Sequence, residues 1–207
     1  MTSRAAISTV PVDDGELVRI TGEQFDRMIA AGVWGDKSPI ELWNGFLRLR
    51  NCRDEGDQSM GHGPKHAAAV RRFAAALARA GILSVQVQLP MILNDFSRPE
   101  PDLCVLKPPL ERYDERQPGP ADITLAVECA SSSLKFDRGD RRVEFAQAGI
   151  PTYIVVDVVH DLVEVYTDPD PAASTYRTER QYRRGDSLVL DLAEQGTVTL
   201  TVAELLP

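Results

Sequence analysis

The stretch ITLAVECASSSLKFDRGDRRVEFAQAGIPTYIVVD, residues 123–157, decides the fold class. It opens with a nearly continuous apolar run, which is typical of a strand that is buried on both faces. A charged segment follows, and its apolar Val143, Phe145 and Ala146 predict a helix that ends at residues 149–151. A second apolar run, TYIVVD, then predicts another strand. Strand, helix and strand in this order indicate a mixed α/β domain.

The flanking segments support the same class. Residues 20–32 predict a helix that Thr21 caps, with Gln24 completing a capping box. The Asn44-Gly45 pair between two apolar runs predicts a β-hairpin. Residues 61–82 are rich in alanine and predict the longest helix. We therefore expect a mixed α+β fold with one central sheet flanked by helices, and with extra β-hairpins.

The chain has 207 residues, which suits one domain over residues 1–207, with 1–18 as an N-terminal extension. No apolar run approaches the roughly 20 residues that span a bilayer, and the start lacks a signal-peptide pattern, so we expect a cytoplasmic protein without membrane contact. The three cysteines, Cys52, Cys104 and Cys129, show no metal-binding spacing. Cys104 and Cys129 lie in apolar runs and are expected to be buried free thiols.

The net charge of −8 argues against indiscriminate binding to nucleic acid, because phosphate contacts need local cations. Two basic clusters are exceptions. Arg71 and Arg72 lie on the polar side of the alanine-rich helix. A second cluster interleaves arginines with two tyrosines and is a candidate for nucleic-acid contact; its arginines are Arg177, Arg180, Arg183 and Arg184. An exposed strand with alternating polar and apolar residues would give the same pattern.

Two predicted strands end in carboxylates. Asp102 precedes the apolar run LCVL, and Glu128 closes the run ITLAVE. If the two strands are antiparallel neighbours, both carboxylates lie at one edge of the sheet. Close carboxylates are costly unless a cation neutralises them. A hard divalent ion such as Mg²⁺ accepts such oxygen ligands and can promote hydrolysis of a phosphodiester. The alternative is that both are solvated strand ends.

Several segments in order resemble a known family. PEPDLCVL (99–106), ITLAVECASSS (123–133) and DRGDRRVEFAQAGIPTYIVVD (137–157) resemble the PD-(D/E)xK nuclease superfamily and, within it, the Uma2 restriction endonuclease family. IELWNGFLRLR (40–50) and KHAAAVRRFAAAL (65–77) resemble further segments of that family. The resemblance implies a restriction-endonuclease-like core and an endonuclease that hydrolyses DNA with Mg²⁺ or Mn²⁺ as its cofactor.

The resemblance also assigns roles to residues. Asp102 and Glu128 match the two residues that hold the metal, and the backbone carbonyl of Cys129 is a further candidate ligand. Glu41 matches an early glutamate that binds a second ion or orients a water.

The superfamily lysine is missing from its usual place, because Ala130 stands two residues after Glu128. In the Uma2 family a lysine follows on the next helix, at the position of Arg141. Arginine keeps the positive charge and grips phosphate, but it cannot act as a base. Lys135 is a rival for this role, and the absence of any functional cation is a third alternative.

Three further residues match family positions. Ser131 and Asp137 either support the catalytic loop and the cation or cap the following helix. His66 either donates to a phosphate or packs and caps at the start of its helix.

These patterns leave three hypotheses. The first is a metal-dependent DNA endonuclease, which is expected to be a homodimer because a double-strand cut needs two sites. The second is a catalytically inactive binding or regulatory protein on a nuclease fold. The third is an unrelated α/β protein, which would hold Asp102 and Glu128 too far apart to share one ion.

Overall fold

The structure, a computed structural model, describes residues 8–12, 15–34, 39–49 and 63–207. The chain forms two compact units. The first unit comprises Met1–Arg50 and Ile92–Pro99, and the second comprises Asn51–Met91 and Glu100–Pro207. One domain over residues 1–207, with residues 1–18 as an extension, stays a prediction.

The first unit contains two hairpins and a helix. Strands β1 (Ser8–Val12) and β2 (Gly15–Arg19) form an antiparallel hairpin, which the sequence analysis did not predict. Helix α1 (Gly22–Ala30) begins with the predicted capping box of Thr21 and Gln24. Strands β3 (Ile40–Trp43) and β4 (Phe46–Leu49) form the predicted hairpin. Its turn residues Asn44 and Gly45 have φ values of 51° and 81°, as a two-residue turn between twisted strands requires.

The second unit is built on a six-stranded mixed sheet. Its strands are β5 (Val85–Val87), β6 (Leu103–Leu106), β7 (Ile123–Ala130), β8 (Thr152–Asp157), β9 (Leu162–Asp170) and β10 (Thr175–Tyr182). The spatial order is β10-β9-β8-β7-β6-β5, and only the β7–β8 pair of this sheet is parallel. The remaining elements are α2 (Pro64–Arg79), α3 (Leu134–Phe136), α4 (Arg142–Gln147), the hairpin β11 (Ser187–Asp191) and β12 (Thr197–Thr201), and α5 (Val202–Leu205). The predicted mixed α+β class is confirmed.

The two faces of this sheet differ in chemistry. One face packs Leu103, Val127 and Ile154 against apolar residues of α2, β11, β12 and α5. Because neighbouring residues of a strand point to opposite faces, Glu128 belongs to the other face. That face carries Phe145 of α4 and an aromatic cluster in which the Phe145 and Tyr153 ring centroids lie 5.2 Å apart. Asp102 lies just before β6, where it contacts His66 of α2.

The segment predicted as one helix, residues 136–151, is broken. Helix α3 runs into a π-type turn (Asp137–Arg141) before α4 begins, and Gly139 has non-helical angles of φ −100° and ψ −105°. The prediction of a continuous helix was therefore wrong at this point. Turns of this type recur at functional sites, because they redirect side chains that a regular helix would hold in other directions.

Two arginines of this turn contact carboxylates on three strands. The Arg138 guanidinium donates to Asp157 at 2.8 Å and to Glu164 at 2.7 Å, which lie on β8 and β9. The Arg141 guanidinium lies 3.1 Å from Glu128 on β7. The kinked turn therefore supplies cations to carboxylates on β7, β8 and β9.

Two further expectations concern the cysteines and membrane-spanning segments. Cys104 and Cys129 are buried and free, as predicted, and Cys52 lies outside the described residues. No helix in the described part of the chain has the length and apolar character needed to cross a bilayer. The cytoplasmic location stays a prediction.

Replacing Arg138 with alanine is expected to destabilise the protein by about 3 kcal/mol, because it removes the arginine from buried Glu164 and leaves Asp157 with His160 as its remaining basic partner. Urea unfolding would measure this loss. Arg177→Ala is the matched control, since Arg177 pairs with exposed Asp168 and half-exposed Asp170; it should cost less than about 1 kcal/mol. Equal losses for both variants would contradict the anchoring role of Arg138.

Candidate functional site

The register of β6 and β7 brings the two strand-end carboxylates to one edge of the sheet. The strands are antiparallel neighbours, and Leu103 lies opposite Val127. Asp102 and Glu128 are the next residues in sequence beyond this pair, and the Cys129 N–H donates to the Asp102 carboxylate at 2.8 Å, so Asp102 lies beside the end of β7. The expectation that the two strands are antiparallel neighbours is therefore confirmed.

The Asp102 carboxylate is held by three groups. Its Oδ2 accepts the Cys129 backbone N–H at 2.8 Å, and its Oδ1 accepts the Gln88 amide at 3.1 Å. The His66 Nε2 lies 3.2 Å from Oδ1. Burial pushes the pKa of Asp102 upward, but His66, the Cys129 amide and Gln88 together outweigh it and hold the pKa below its ordinary value. Asp102 is therefore ionised at neutral pH.

His66 connects two of the predicted metal ligands. Its Nδ1 lies 2.5 Å from the carbonyl oxygen of Cys129, and its Nε2 faces Asp102. Both partners accept hydrogen bonds, so the two contacts together favour the doubly protonated imidazolium. Burial lowers the pKa of His66, but its interactions with Asp102 and the Cys129 carbonyl raise it above the ordinary value.

The prediction that His66 caps its helix is wrong, because Gly63 occupies the N-cap position of α2 and His66 lies inside the first turn. Its donation to a phosphate stays a prediction.

Glu128 is neutralised by an arginine. The Arg141 Nε lies 3.1 Å from the Glu128 Oε1 and 3.6 Å from the Asp137 Oδ1. Glu128, Arg141 and Asp137 are only 7%, 3% and 2% exposed. Buried charges are tolerated only when they are paired, so this cluster holds Arg141 at the end of β7.

The capping alternative for Asp137 and Ser131 is wrong. Asp137 lies within the kinked turn beside Arg141, and the N-cap of α3 is Ser133. Ser131 is exposed, and its supporting role stays a prediction. Asp137 thus contacts the cation, which is the other role that the resemblance suggested.

The structure separates the two candidate cations by their environment. Arg141 is buried against Glu128, and its guanidinium lies 5.1 Å from the Phe136 ring centroid. Lys135, in contrast, is exposed on α3. Arg141 is therefore the cation that the fold brings to the predicted metal ligands.

Glu41 lies in the first unit, on β3. Its carboxylate accepts the Arg48 guanidinium at 2.6 Å, across the hairpin from the facing strand β4. Its role as a metal ligand stays a prediction.

Two of the four arginines of the second basic cluster, residues 176–184, which we call the β10 segment, have acidic partners. Arg177 pairs with Asp168 and Asp170, and Arg184 pairs with Asp161. The Tyr176 ring is buried, and its hydroxyl donates to the Ile150 carbonyl. Tyr176 is therefore not available for stacking on a base. Nucleic-acid contact by Arg177, Arg180, Arg183 and Arg184 stays a prediction without support from these contacts.

Two further polar residues, Gln88 and Glu144, were not among the residues predicted from the sequence. Gln88 donates to Asp102 and has a left-handed backbone with φ of 48°, which is a strained conformation for a residue with a side chain. No sequence signal marks it. Glu144 is buried on α4. A polar residue within a helix otherwise packed by Phe145 and Ala146 was the only sequence signal for Glu144.

The donor set fits a hard divalent cation. Asp102, Glu128 and the Cys129 carbonyl supply only oxygen atoms, which Mg²⁺ and Mn²⁺ prefer. Burial raises the pKa of the Cys129 thiol, and Asp102, Glu128 and Asp137 raise it further, which marks a concentration of negative charge at this strand end. Among the described residues, no group of three or more His, Cys, Asp and Glu side chains is arranged so that it could hold a metal ion by itself. Water and substrate would have to supply the remaining ligands, as Mg²⁺ commonly requires.

The pair of His66 and Asp102 predicts a specific pH dependence for the metal-free protein. Because the folded-state pKa of His66 is above 6.5, the pair stabilises the fold fully below about pH 6.5. This stabilisation is lost as the pH rises through the raised pKa. NMR titration of the His66 ring in EDTA should give a value above 6.5, and Asp102→Asn should lower it. An unchanged His66 pKa in Asp102→Asn would contradict the pairing.

Comparisons with known proteins identify the family and the fold of the chain. The model of the Uma2 family, described as "Putative restriction endonuclease", matches residues 47–203. A crystal structure of "a putative nuclease belonging to DUF820 from Anabaena variabilis ATCC 29413" is similar, with a TM-score of 0.62 and 15% sequence identity. The similarity covers 90% of this chain and 97% of that one, and at this identity it shows a shared fold. No curated protein matches the chain. Because the family model covers most of the sequence, the chain belongs to the Uma2 family of nuclease-like proteins.

Proposed function

We propose that this protein is a divalent-metal-dependent endonuclease that hydrolyses phosphodiester bonds of DNA. The observation that carries the proposal is the register of β6 and β7, which sets Asp102 and Glu128 at one sheet edge with Arg141 beside them. The Uma2 family match supports the same reaction class.

Asp102, Glu128 and the Cys129 carbonyl would hold Mg²⁺ or Mn²⁺. A bound ion of this kind neutralises the two carboxylates, polarises the phosphodiester and lowers the pKa of an attacking water. The protein keeps the ligands in place through Gln88 and the Cys129 amide, which both donate to Asp102. Positions that are fixed before the substrate arrives reduce the cost of reorganisation during the reaction.

Arg141 would contact the scissile phosphate. Its guanidinium remains charged at every working pH, so it stabilises the negative charge that develops on the phosphate oxygens and does not act as a base. Asp137 and Glu128 orient the guanidinium from within the protein. A water then supplies the oxygen that forms the new bond to phosphorus, and the bond to the leaving sugar oxygen breaks.

A second candidate is a catalytically inactive protein that binds nucleic acid or a regulatory partner. One observation favours it: Asp102 and Glu128 already have the protein cations His66 and Arg141. A protein that is stable with these pairs does not need an ion to fold. A homodimer and a cytoplasmic location accompany both candidates as untested proposals.

Asp102→Asn and Glu128→Gln are each expected to lower DNA cleavage by about 100-fold or more, because each removes a charged metal ligand. Nicking of supercoiled plasmid with Mg²⁺ or Mn²⁺ would measure the loss, and EDTA should abolish the wild-type reaction. Asp140→Asn is the control, because Asp140 is an exposed acid in the same turn.

Calorimetry separates the two candidates. The wild type should bind Mg²⁺ or Mn²⁺ at millimolar concentration, and Glu128→Gln should bind either ion more weakly. DNA binding without any metal binding would support the inactive protein instead. Full cleavage by Asp102→Asn or Glu128→Gln would remove the proposed site.

Arg141→Gln should lower cleavage by about 100-fold, because the developing phosphate charge loses its cation. Lys135→Gln should leave the rate within about twofold, since Lys135 is exposed. Arg141→Lys should retain part of the rate, because it keeps the charge and loses the fork geometry. Thermal melting of each variant would separate loss of folding from loss of catalysis. A larger loss in Lys135→Gln than in Arg141→Gln would reverse the assignment.

A further inference from the structure

Helix α2 has an unusual charge composition. It carries Lys65, Arg71, Arg72 and Arg79 and contains no aspartate or glutamate. All four cations are exposed, although the whole chain has a net charge of −8. We call these four residues the α2 ridge. The ridge is positively charged although the whole chain is negatively charged, so an anionic partner would be attracted to this surface.

Three residues of the α2 ridge form a nearly straight row. Lys65, Arg72 and Arg79 recur at intervals of seven residues, so they lie along one side of the helix over about 21 Å. Ala68 and Ala75 lie between them, and their small side chains leave the cations accessible. The ridge borders a shallow groove whose lining residues are Ala68, Arg71, Arg72, Ala75, Arg79 and Glu204.

The α2 ridge is mounted on a rigid support. The opposite side of the helix buries Ala69, Phe73 and Leu77 in the core of the second unit. Arg72 donates to the Leu206 carbonyl and Arg79 pairs with Glu204, so both side chains lie close to the surface in defined directions. A row of fixed cations matches a stiff and regularly charged ligand better than a flexible one, because fewer side chains must be ordered on binding.

The ridge also begins next to the candidate site along the chain. Lys65 precedes His66, whose ring contacts Asp102 and the Cys129 carbonyl. A ligand that binds the ridge is therefore bound by the same helix that contributes to the acid centre.

Two arginines of the β10 segment have more acidic neighbours than the residues of the ridge. Arg177 has two acidic neighbours and Arg184 has one. On the ridge only Arg79 among the described contacts is paired with an acid, Glu204, and both side chains of that pair are exposed. An exposed pair of this kind is worth less than about 1 kcal/mol, so a phosphate can compete for Arg79.

From these observations we infer that the α2 ridge binds the phosphate backbone of double-stranded DNA. This inference rests on the proposed function and adds the surface that holds the duplex. Phe73, the one aromatic residue of α2, is buried, so the ridge offers charge but no platform for stacking on unpaired bases. A length of about 21 Å corresponds to about six base pairs of duplex.

Fluorescence anisotropy with a labelled 20-base-pair duplex in EDTA would test the ridge without cleavage. The double variant Lys65→Gln/Arg71→Gln leaves the contacts of Arg72 and Arg79 with the C-terminal segment intact. It should weaken binding by about 10-fold and reduce the slope of log K against log salt by about 1.8, which is two phosphate contacts. The matched control Arg180→Gln/Arg183→Gln removes two exposed arginines from the β10 segment and should leave the slope unchanged.

Glu204→Gln tests the ridge through a gain in duplex affinity rather than a loss. It removes the acidic competitor for Arg79, while a glutamine oxygen can still accept from the Thr201 backbone. This variant should bind the duplex more tightly than the wild type.

Several results would overturn the inference. These are an unchanged slope in Lys65→Gln/Arg71→Gln, a larger loss in the β10 control, or wild-type binding to a polyglutamate peptide and not to the duplex. Thermal melting confirms that each variant is folded. Duplex binding through the ridge without cleavage would contradict the proposed function and leave the inference about the ridge standing. Cleavage that is insensitive to the ridge variants would contradict the inference about the ridge and leave the proposed function standing.

Discussion

The ion pair between Glu128 and Arg141 is the constraint on which the organisation of this sheet edge depends. A carboxylate at the end of a strand that is buried on both faces costs several kcal/mol unless a cation accompanies it. Arg141 can accompany it because the chain is kinked at Gly139. The same kinked turn directs Arg138 to Asp157 and Glu164, so one irregular segment neutralises carboxylates on three strands. Charge compensation and the irregular backbone thus occur together at this sheet edge.

The same requirement explains the surroundings of Asp102. His66, Gln88 and the Cys129 amide all face this carboxylate, and His66 also contacts the Cys129 carbonyl. The two acids that would hold a metal are therefore stable in its absence. A divalent ion at this position would act together with two resident cations, or partly replace them. Whether the family fold is used here for hydrolysis or for binding depends on how far His66 and Arg141 share their carboxylates with an ion.

Much of the fold was predictable because its signals are local. The Asn44-Gly45 pair predicted the hairpin of the first unit, and Thr21 with Gln24 predicted the start of α1. The apolar runs before Glu128 and after Asp102 predicted strands β7 and β6. The hairpin of β1 and β2 and the kink at Gly139 were not predicted. The kink depends on partners 13 or more residues away along the chain, such as Glu128 for Arg141, and helical periodicity contains no information about them.

The sequence by itself determined the family, most of the strands and helices, and the two carboxylates that flank apolar strands, because composition and order are enough for each of these. The tertiary structure decided which cation meets which carboxylate. It set Arg141 and not Lys135 beside Glu128, brought His66 and Gln88 to Asp102, and paired two arginines of the β10 segment with acids. These pairings follow from strand register and from the angle of a kinked helix, and both are properties of packed elements. A buried charge must find its partner in space, whatever its distance along the chain.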